Sequence, residues 1–161
     1  MKMLCIDPSS SAPGFAYFIN EKPVQCETVV IKGKDFFGRM KIALIDLKDR
    51  LDTFLPDYIA IETPYLGISK ATSMKMGQIY GMFCAEWLMN NGDPQNIIEI
   101  HPMTAKMAAG ASHFKNREEG KKTVFDTINE RYPYLTPVDD NSTDAVAVGL
   151  AALIAIKEKY E

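Results

Sequence analysis

The sequence has few of the residues on which disulfide frameworks, zinc sites and histidine-based active sites depend. Its 161 residues include three cysteines and two histidines. Cys5, Cys26 and Cys84 are far apart in the chain and form no Cys-x-x-Cys pair, so we expect them to be buried, reduced thiols of a cytoplasmic protein. This scarcity excludes a disulfide-rich extracellular module and a cysteine-ligated zinc module.

Long apolar runs are missing as well. No stretch reaches the roughly 18 unbroken apolar residues of a membrane-spanning helix, and Asp7 interrupts the N-terminal apolar run too early for a signal peptide. The hydrophobic content of 47% is nevertheless ordinary for a globular core. We therefore expect a single domain over residues 1–161 with no membrane partner, located in the cytoplasm, or in the host-cell cytoplasm if the protein is viral.

The chain also lacks an excess of positive charge. Its net charge of −3 argues at first against nucleic-acid binding, which requires lysine and arginine to neutralise phosphates. The charge is unevenly distributed, however. Residues 63–85 contain two lysines and no acid, and residues 101–122 contain five basic residues and two acidic ones, so these stretches carry +5 and the rest carries −8. A basic face on an acidic protein is one interpretation, and ordinary solvated lysines are the other.

Hydrophobic periodicity predicts a mixed α/β order. Apolar and β-branched runs predict strands at residues 3–6, 14–19, 24–31, 58–61 and 96–100, with a hairpin turn at residues 20–23. Helical spacing predicts helices at residues 36–55, 71–90, 118–131 and 143–157, and a helical turn at residues 104–108. This order predicts a mixed sheet with a three-strand antiparallel start, followed by α/β crossovers, and with helices on both faces.

Two carboxylates follow apolar strands directly. Asp7 and Glu62 are each the first charged residue after such a strand, at the edge of the sheet where ligand sites form. Two acids on neighbouring strand ends repel each other unless a cation lies between them, and magnesium is the common choice when the substrate is a phosphate. Asp144 and Asn141, three residues apart near the start of the last helix, share a helix face and can aim at the same ion. Taken singly, each of these residues is also explained as a turn cap or a helix cap.

In addition, the sequence resembles the RuvC family of Holliday-junction resolvases, and in particular its phage-type members, along nearly its whole length. Four segments carry the resemblance: Cys5-Ile6-Asp7-Pro8 with Gly14-Phe15-Ala16, Ala60-Ile61-Glu62-Thr63-Pro64-Tyr65, Met76-Gly77-Gln78-Ile79-Tyr80-Gly81, and Ser142-Thr143-Asp144-Ala145-Val146-Ala147. Each segment is weakly specific alone, but their order and spacing together are highly specific. The resemblance implies an α/β, RNase H-like fold and a homodimer that cuts four-way or other branched DNA in recombination and repair.

The resemblance also implies the chemistry. Asp7, Glu62 and Asp144 would be the catalytic residues of a hydrolase that uses two Mg²⁺ ions, with Mn²⁺ as a substitute, and Asn141 would be a further metal ligand. The family usually has an acid at the position of Asn141, and an asparagine brings no negative charge. Asp140 is the adjacent candidate for the missing acid. The predicted DNA-binding residues are Tyr65, Lys70, Lys106, Lys115, Lys121 and Lys122.

Two alternatives to a competent nuclease remain open on the sequence. The first is a junction-binding protein that cuts poorly, because Asn141 weakens metal binding. The second is an actin-like or sugar-kinase-type phosphotransferase, with the serines after Asp7 as a phosphate loop. The chain is short for such a phosphotransferase, which normally contains two domains of this kind of fold.

Two further sets of residues are open to more than one interpretation. Gly77, Gly81 and Ala85, with Met74, Met82 and Met89 nearby, indicate either a dimer interface or an ordinary core helix. His101 precedes Pro102 at a strand end, where we expect a structural role, and His113 has no role that the sequence defines.

Overall fold

The computed structural model describes residues 1–65, 69–111, 116–136 and 139–160. The strands are β1 (Lys2–Asp7), β2 (Gly14–Ile19), β3 (Lys22–Thr28), β4 (Tyr58–Glu62) and β5 (Ile97–Ile100). The helices are α1 (Phe36–Phe54), α2 (Lys70–Met89), α3 (Pro102–Ala108), α4 (Arg117–Arg131) and α5 (Asp140–Tyr160), with a 3₁₀ turn at Pro94–Asn96. The element order agrees with the one that the sequence predicts.

The five strands form one mixed sheet in the order β3-β2-β1-β4-β5. β1, β2 and β3 pair antiparallel, whereas β4 pairs parallel with both β1 and β5. This arrangement is the predicted antiparallel start followed by α/β crossovers. Because β1 and β4 are parallel neighbours at the centre of the sheet, their carboxyl ends lie at the same edge.

Two apolar layers cover the sheet, one on each face. On one face, the sheet residues Met3, Cys5, Phe18 and Ala60 pack in a cluster with the small residues of α5. On the other face, strand residues that alternate with these pack against α1 and α2. Among the helices of the described residues, none combines the length and the hydrophobicity that crossing a bilayer requires.

The first hairpin is tighter than predicted. We expected a turn over residues 20–23, but Asn20 (φ 48°) and Glu21 (φ 68°) form a two-residue turn and β3 starts at Lys22. Both turn residues have the left-handed backbone that two-residue hairpins of the type I′ kind require. Pro23 is accommodated inside the strand because β3 is at the edge of the sheet and the register shifts opposite Tyr17 and Phe18.

The two helices around the predicted site begin earlier than expected. The predicted helical turn at residues 104–108 is the end of α3, which starts at Pro102. The last helix starts at Asp140, not near residue 143, so Asn141 lies in its first turn and Asp144 one turn further on. The helix therefore begins inside the polar run of residues 139–144, which contains the predicted site residues Asn141 and Asp144.

Candidate active site

Strand alternation brings Asp7 and Glu62 to the same face of the sheet. Cys5 pairs with Ala60 in the parallel register of β1 and β4, and both are fully buried in the layer that faces α5. Asp7 and Glu62 each lie two residues further along, on the same face, and both are partly buried. Because neighbouring strands are about 4.8 Å apart, the backbones of these two residues lie next to each other at the carboxyl edge of the sheet.

The start of α5 is fastened to the strands that hold these acids. The backbone at Gly14 and at Asn141 approaches so closely that a Cβ on Gly14 would lie 2.0 Å from the Asn141 carbonyl oxygen. The Asn141 side-chain amide donates a hydrogen bond of 3.0 Å to the Ala12 carbonyl oxygen in the loop between β1 and β2. Asp139 accepts a hydrogen bond from Thr28 at the end of β3. These contacts fix where α5 begins, and hence where Asp144 lies.

Asp144 is partly buried, as Asp7 and Glu62 are. Its side chain is 16% exposed, and its Oδ2 atom lies 3.7 Å from Nζ of Lys121 on α4. Burial raises the pKa of Asp144, while Lys121 and Lys106 act to lower it and the nearby Asp140 carboxylate adds to the increase. Asp144 thus lies between two lysines and a second acid.

The carboxylates do not form a ready-made metal cage. Within the described residues, no three His, Cys, Asp or Glu side chains converge closely enough to hold a metal ion. Lys121 instead provides a cationic partner for Asp144, and Asp7 and Glu62 also make interactions of their own. The donor set is nevertheless chemically suited to a hard divalent cation, which prefers carboxylate oxygens. A bound ion would require these side chains to change rotamer.

The lysines predicted to bind DNA divide into two groups. Lys106 on α3 and Lys121 on α4 are partly buried and act electrostatically on Asp144, so they belong to the carboxylate site. Lys70, at the start of α2, and Lys122 are exposed. Lys115 and His113 lie outside the described residues.

Tyr65 and His101 lie near the same edge. Tyr65 follows β4 three residues after Glu62, and its side chain is 54% exposed, so it is not a core residue. The His101 imidazole Nδ1 accepts a hydrogen bond of 3.2 Å from the Met103 backbone amide and caps α3. The role of His101 is therefore structural, as expected.

The glycine stripe of α2 is on the surface of the subunit. A Cβ added at Gly77 or at Gly81 would have no atom within 4 Å, and Ala85 is exposed. Met74 is 65% and Met89 is 80% exposed. Because none of these residues packs in the core, the core-helix interpretation is wrong for them, although Met82 does pack against the apolar layer.

Sequence reasoning missed two features of the site. It assigned Lys121 to DNA phosphates and did not predict its ion pair with Asp144, because helix spacing carries no information on contacts between α4 and α5. It also left Asp139 without a role. The Asp139 side chain accepts a hydrogen bond of 2.9 Å from the Ser142 backbone amide and so caps α5. The Asp-x-x-Ser spacing is a signal that could have identified this cap.

Comparison with known proteins places the chain among nucleases of one family. A family model described as crossover junction endodeoxyribonuclease RuvC matches residues 3–151. The RuvC of Xanthomonas oryzae pv. oryzae is 34% identical over 86 residues, which are 50% of this chain and 49% of that protein. The RuvC of Christiangramia forsetii is 26% identical over 132 residues, which are 79% of this chain and 67% of that protein. The chain thus spans about half to two thirds of the length of these relatives.

Solved structures share the fold. A Thermus thermophilus RuvC in complex with a Holliday junction substrate superposes with a TM-score of 0.74 at 17% identity, covering 98% of this chain and 96% of that chain. The yeast mitochondrial Holliday junction resolvase superposes with a TM-score of 0.57 at 18% identity, covering 98% of this chain and 80% of that chain. At these identities the likeness establishes the RNase H-like, mixed α/β fold.

Proposed function

Because the chain belongs to the RuvC family of crossover junction endodeoxyribonucleases, we propose that it is a metal-dependent endonuclease that cuts four-way DNA junctions. The observation that carries the proposal is the position of Asp7 and Glu62 at the ends of two neighbouring parallel strands, at one edge of the sheet. Asp144, the third acid of the proposed site, lies on a helix whose first turn is fastened to the β1–β2 loop. The family match gives no support to the phosphotransferase interpretation of the serines after Asp7.

In this proposal Asp7, Glu62 and Asp144 hold the metal. RuvC nucleases are metal-dependent and generally use Mg²⁺. Two bound ions, with Mn²⁺ as a substitute, would supply an activated water and would stabilise the leaving 3′-oxygen. In this proposal Asp7 would serve both ions, and Glu62 and Asp144 would each serve mainly one.

In this proposal Lys121 can pair with either of two anionic groups, the Asp144 carboxylate or a DNA phosphate. Without DNA its ammonium group pairs with Asp144. A DNA phosphate offers the same kind of oxygen, and lysine binds phosphate as a point charge. Lys121 would therefore transfer from the carboxylate to the phosphate when DNA binds, which would release Asp144 to the metal.

The proposed DNA-binding face extends outward from the carboxylates. Lys70, Lys106 and Lys122, with Lys115 outside the described residues, would bind backbone phosphates, which sets position rather than sequence. The exposed ring of Tyr65 follows the Glu62 strand and is placed to stack on an unpaired base at the branch point.

A homodimer completes the proposal. Two copies related by a two-fold axis can direct two active sites at opposing strands of one junction. The surface stripe of Gly77, Gly81 and Ala85 on α2 allows a close approach between helices, and the exposed Met74 and Met89 beside it offer apolar contact area. The single nuclease domain over residues 1–161 and the cytoplasmic location, or host-cell cytoplasm for a viral protein, stay predictions.

The decisive experiment compares cleavage of labelled four-way junctions, forks and linear duplex with and without magnesium. Asp7→Asn, Glu62→Gln and Asp144→Asn should each abolish cutting and leave junction binding nearly intact, because each removes a metal ligand without changing the side-chain shape. Asp49→Asn is the matched control, since Asp49 is exposed on α1 behind the opposite face of the sheet. When magnesium is replaced, manganese should support cutting by the wild type, whereas calcium should permit junction binding without cutting.

The same assay distinguishes the remaining alternative, a junction-binding protein with poor activity. The wild type would be such a protein if it bound junctions tightly but, in the presence of magnesium, cut them no faster than the Asp144→Asn variant does. Wild-type activity in any one of the three carboxylate variants would remove that residue from the site.

A further inference from the structure

The segment between β3 and α1, residues 29–35, runs beside the β1–β2 loop at the carboxyl edge of the sheet. The backbone amides of Val29 and Ile31 donate to carbonyl oxygens of that loop, at 3.0 and 2.8 Å. Between these two carbonyl groups, the Ala12 carbonyl oxygen accepts a hydrogen bond from Asn141 of α5. The same loop therefore fastens both the segment and the start of α5 to the edge at which β1 ends.

Within this segment, apolar side chains point into the core and basic side chains point to solvent. Ile31 is buried in the apolar layer that α1 covers, and Val29 packs against the same layer. Lys32 and Lys34 are exposed. Among the residues that the structure describes, neither lysine forms an ion pair. The segment thus has an apolar inner side, which anchors it, and a basic outer side.

Arg39 of α1 holds the segment in place. Its side chain donates a hydrogen bond of 3.3 Å to the Gly33 carbonyl oxygen, and a Cβ on Gly33 would lie 2.8 Å from Cγ of Arg39. The one acid of residues 29–39, Asp35, caps α1 and accepts a hydrogen bond of 2.7 Å from the Gly38 amide. That carboxylate lies at the positive end of the helix dipole, so it is not available to neutralise the lysines.

The basic outer side of the segment and the lysines around Asp144 belong to opposite faces of the sheet. Helices α3 and α4, which carry Lys106 and Lys121, pack with α5 on one face. The segment with Lys32 and Lys34 belongs to the other face, together with α1 and with α2, at whose start Lys70 is exposed. The carboxyl edge of the sheet therefore lies between two basic surfaces.

We propose that Lys32 and Lys34 form a second DNA-binding surface, on the other side of the carboxyl edge from Lys106 and Lys121. The inference rests on the proposed function and deepens it, because it concerns how the same site holds its DNA. Lysine binds phosphate as a point charge, and such contacts position the DNA without reading its sequence. DNA that crosses the edge is then held on both sides of the phosphate that is cut.

The competing explanation is that both lysines are ordinary solvated side chains. Removing any two positive charges weakens the long-range attraction of DNA to the protein, so the control has to remove two charges as well. Lys22 and Lys159 are suitable, because both are exposed and both lie near the opposite edge of the sheet. Lys22 starts β3, and Lys159 donates to the Gln95 carbonyl oxygen just before β5.

The test measures DNA binding without cleavage. The anisotropy of a labelled four-way junction is titrated with the full chain in calcium, at several salt concentrations. The Lys32→Ala/Lys34→Ala variant should lower the slope of log K against log salt by about 1.8, which is 0.9 for each of two phosphate contacts. Lys32→Arg/Lys34→Arg should keep the wild-type slope, because it keeps both charges. Lys22→Ala/Lys159→Ala should also keep it.

Three results would overturn the second surface: an unchanged slope in the double alanine variant, an equal decrease in the Lys22→Ala/Lys159→Ala control, or an equal decrease in the double arginine variant. Failure of the proposed function gives a different result, since the wild type would then not bind junctions in calcium or not cut them in magnesium. A wild type that binds and cuts junctions, with a slope that does not depend on Lys32 and Lys34, rejects the second surface alone.

Discussion

Asp139 and Asp144 belong to the same short polar run, yet their surroundings shift their pKa values in opposite directions. Burial alone would raise the pKa of Asp139, but hydrogen bonds from Thr28 and Ser142 outweigh it and lower that pKa below the ordinary 3.8. Burial also raises the pKa of Asp144, and there the lysines do not outweigh it. Ionised Asp139 therefore stabilises the folded protein, whereas ionised Asp144 destabilises it.

Asp139→Ala should lower the free energy of unfolding at neutral pH by about 1 kcal/mol, the usual cost of losing a helix N-cap. Because the folded-state pKa of Asp139 lies below 3.8, its contribution is present above pH 3.8 and is lost as the pH falls through the folded-state pKa. Urea unfolding of both proteins at a series of pH values measures the difference. A difference that stayed constant into strong acid would show that the charge of Asp139 is irrelevant to the cap.

Asp144→Asn should raise the stability of the metal-free protein at neutral pH while it abolishes cleavage. The folded-state pKa of Asp144 is raised above 3.8, so the folded protein binds the proton more tightly than the unfolded chain does. The cost of ionising Asp144 is fully present above the folded-state pKa and disappears as the pH falls to 3.8 and below. Thermal unfolding in a metal chelator at neutral and acidic pH tests this, and an unchanged or lower melting temperature at neutral pH would contradict it.

At the scale of secondary-structure elements, the contact between α5 and the sheet decides where the site forms. Small residues of α5 allow this helix to lie close to the strands. A Cβ on Gly149 would lie 2.2 Å from a ring atom of Phe18 and 2.8 Å from Sγ of Cys5. Both neighbours are fully buried, so neither can move aside freely.

Gly149→Ala should therefore lower the free energy of unfolding by about 1–3 kcal/mol, the usual cost of overpacking a core. The substitution should also weaken magnesium binding, because a displaced α5 moves Asp144 away from Asp7 and Glu62. Gly38→Ala on α1 is the control, since a Cβ there would make ordinary contact at 3.4 Å with Asp35. Equal stability of the two variants would show that α5 has room to shift.

At the scale of the whole molecule, the exposed stripe on α2 bears on assembly. Gly81→Leu should split the proposed homodimer, because a branched side chain would fill the space into which the partner helix has to fit. Sedimentation of the wild type and the variant at micromolar concentration measures the change. Asp49→Leu adds the same side chain to the exposed surface of α1 and should leave the dimer intact. A wild-type protein that sediments as an active monomer would defeat the idea.

The proposed binding to DNA should be sensitive to salt, because each lysine–phosphate contact releases counterions. Lys122→Ala should weaken binding to junctions and duplex alike, and it should reduce the slope of log K against log salt by about 0.9 for the one contact removed. Lys41→Ala, an exposed lysine on α1, is the control and should change neither. Tyr65→Ala should instead reduce the preference for junctions at an unchanged slope. Equal loss on both substrates in the Tyr65 variant would show that the ring does not stack.

Residue patterns within single strands and helices predicted most of the fold of this protein. These patterns are the strand ends at Asp7 and Glu62 and the helical spacing of α1 and α2. They are local, because side-chain alternation and helical periodicity are properties of neighbouring residues. From them the mixed sheet and the positions of Asp7 and Glu62 at the ends of its strands followed. The early start of α5 was missed because its cap depends on Asp139 and Ser142, which an apolar pattern does not register.

Contacts between distant parts of the chain were decided by the tertiary structure alone. The bond from Asn141 to Ala12 joins residues 129 positions apart, and the pairing of Lys121 with Asp144 joins two separate helices. Such contacts depend on how α4 and α5 pack on the sheet, and no spacing along the chain encodes that. The sequence by itself determined that Asp7 and Glu62 lie at the ends of strands. Only the fold decided that Asn141 serves the loop, that Lys121 faces Asp144, and that the stripe on α2 is exposed, because each of these depends on the packing of elements that are remote in sequence.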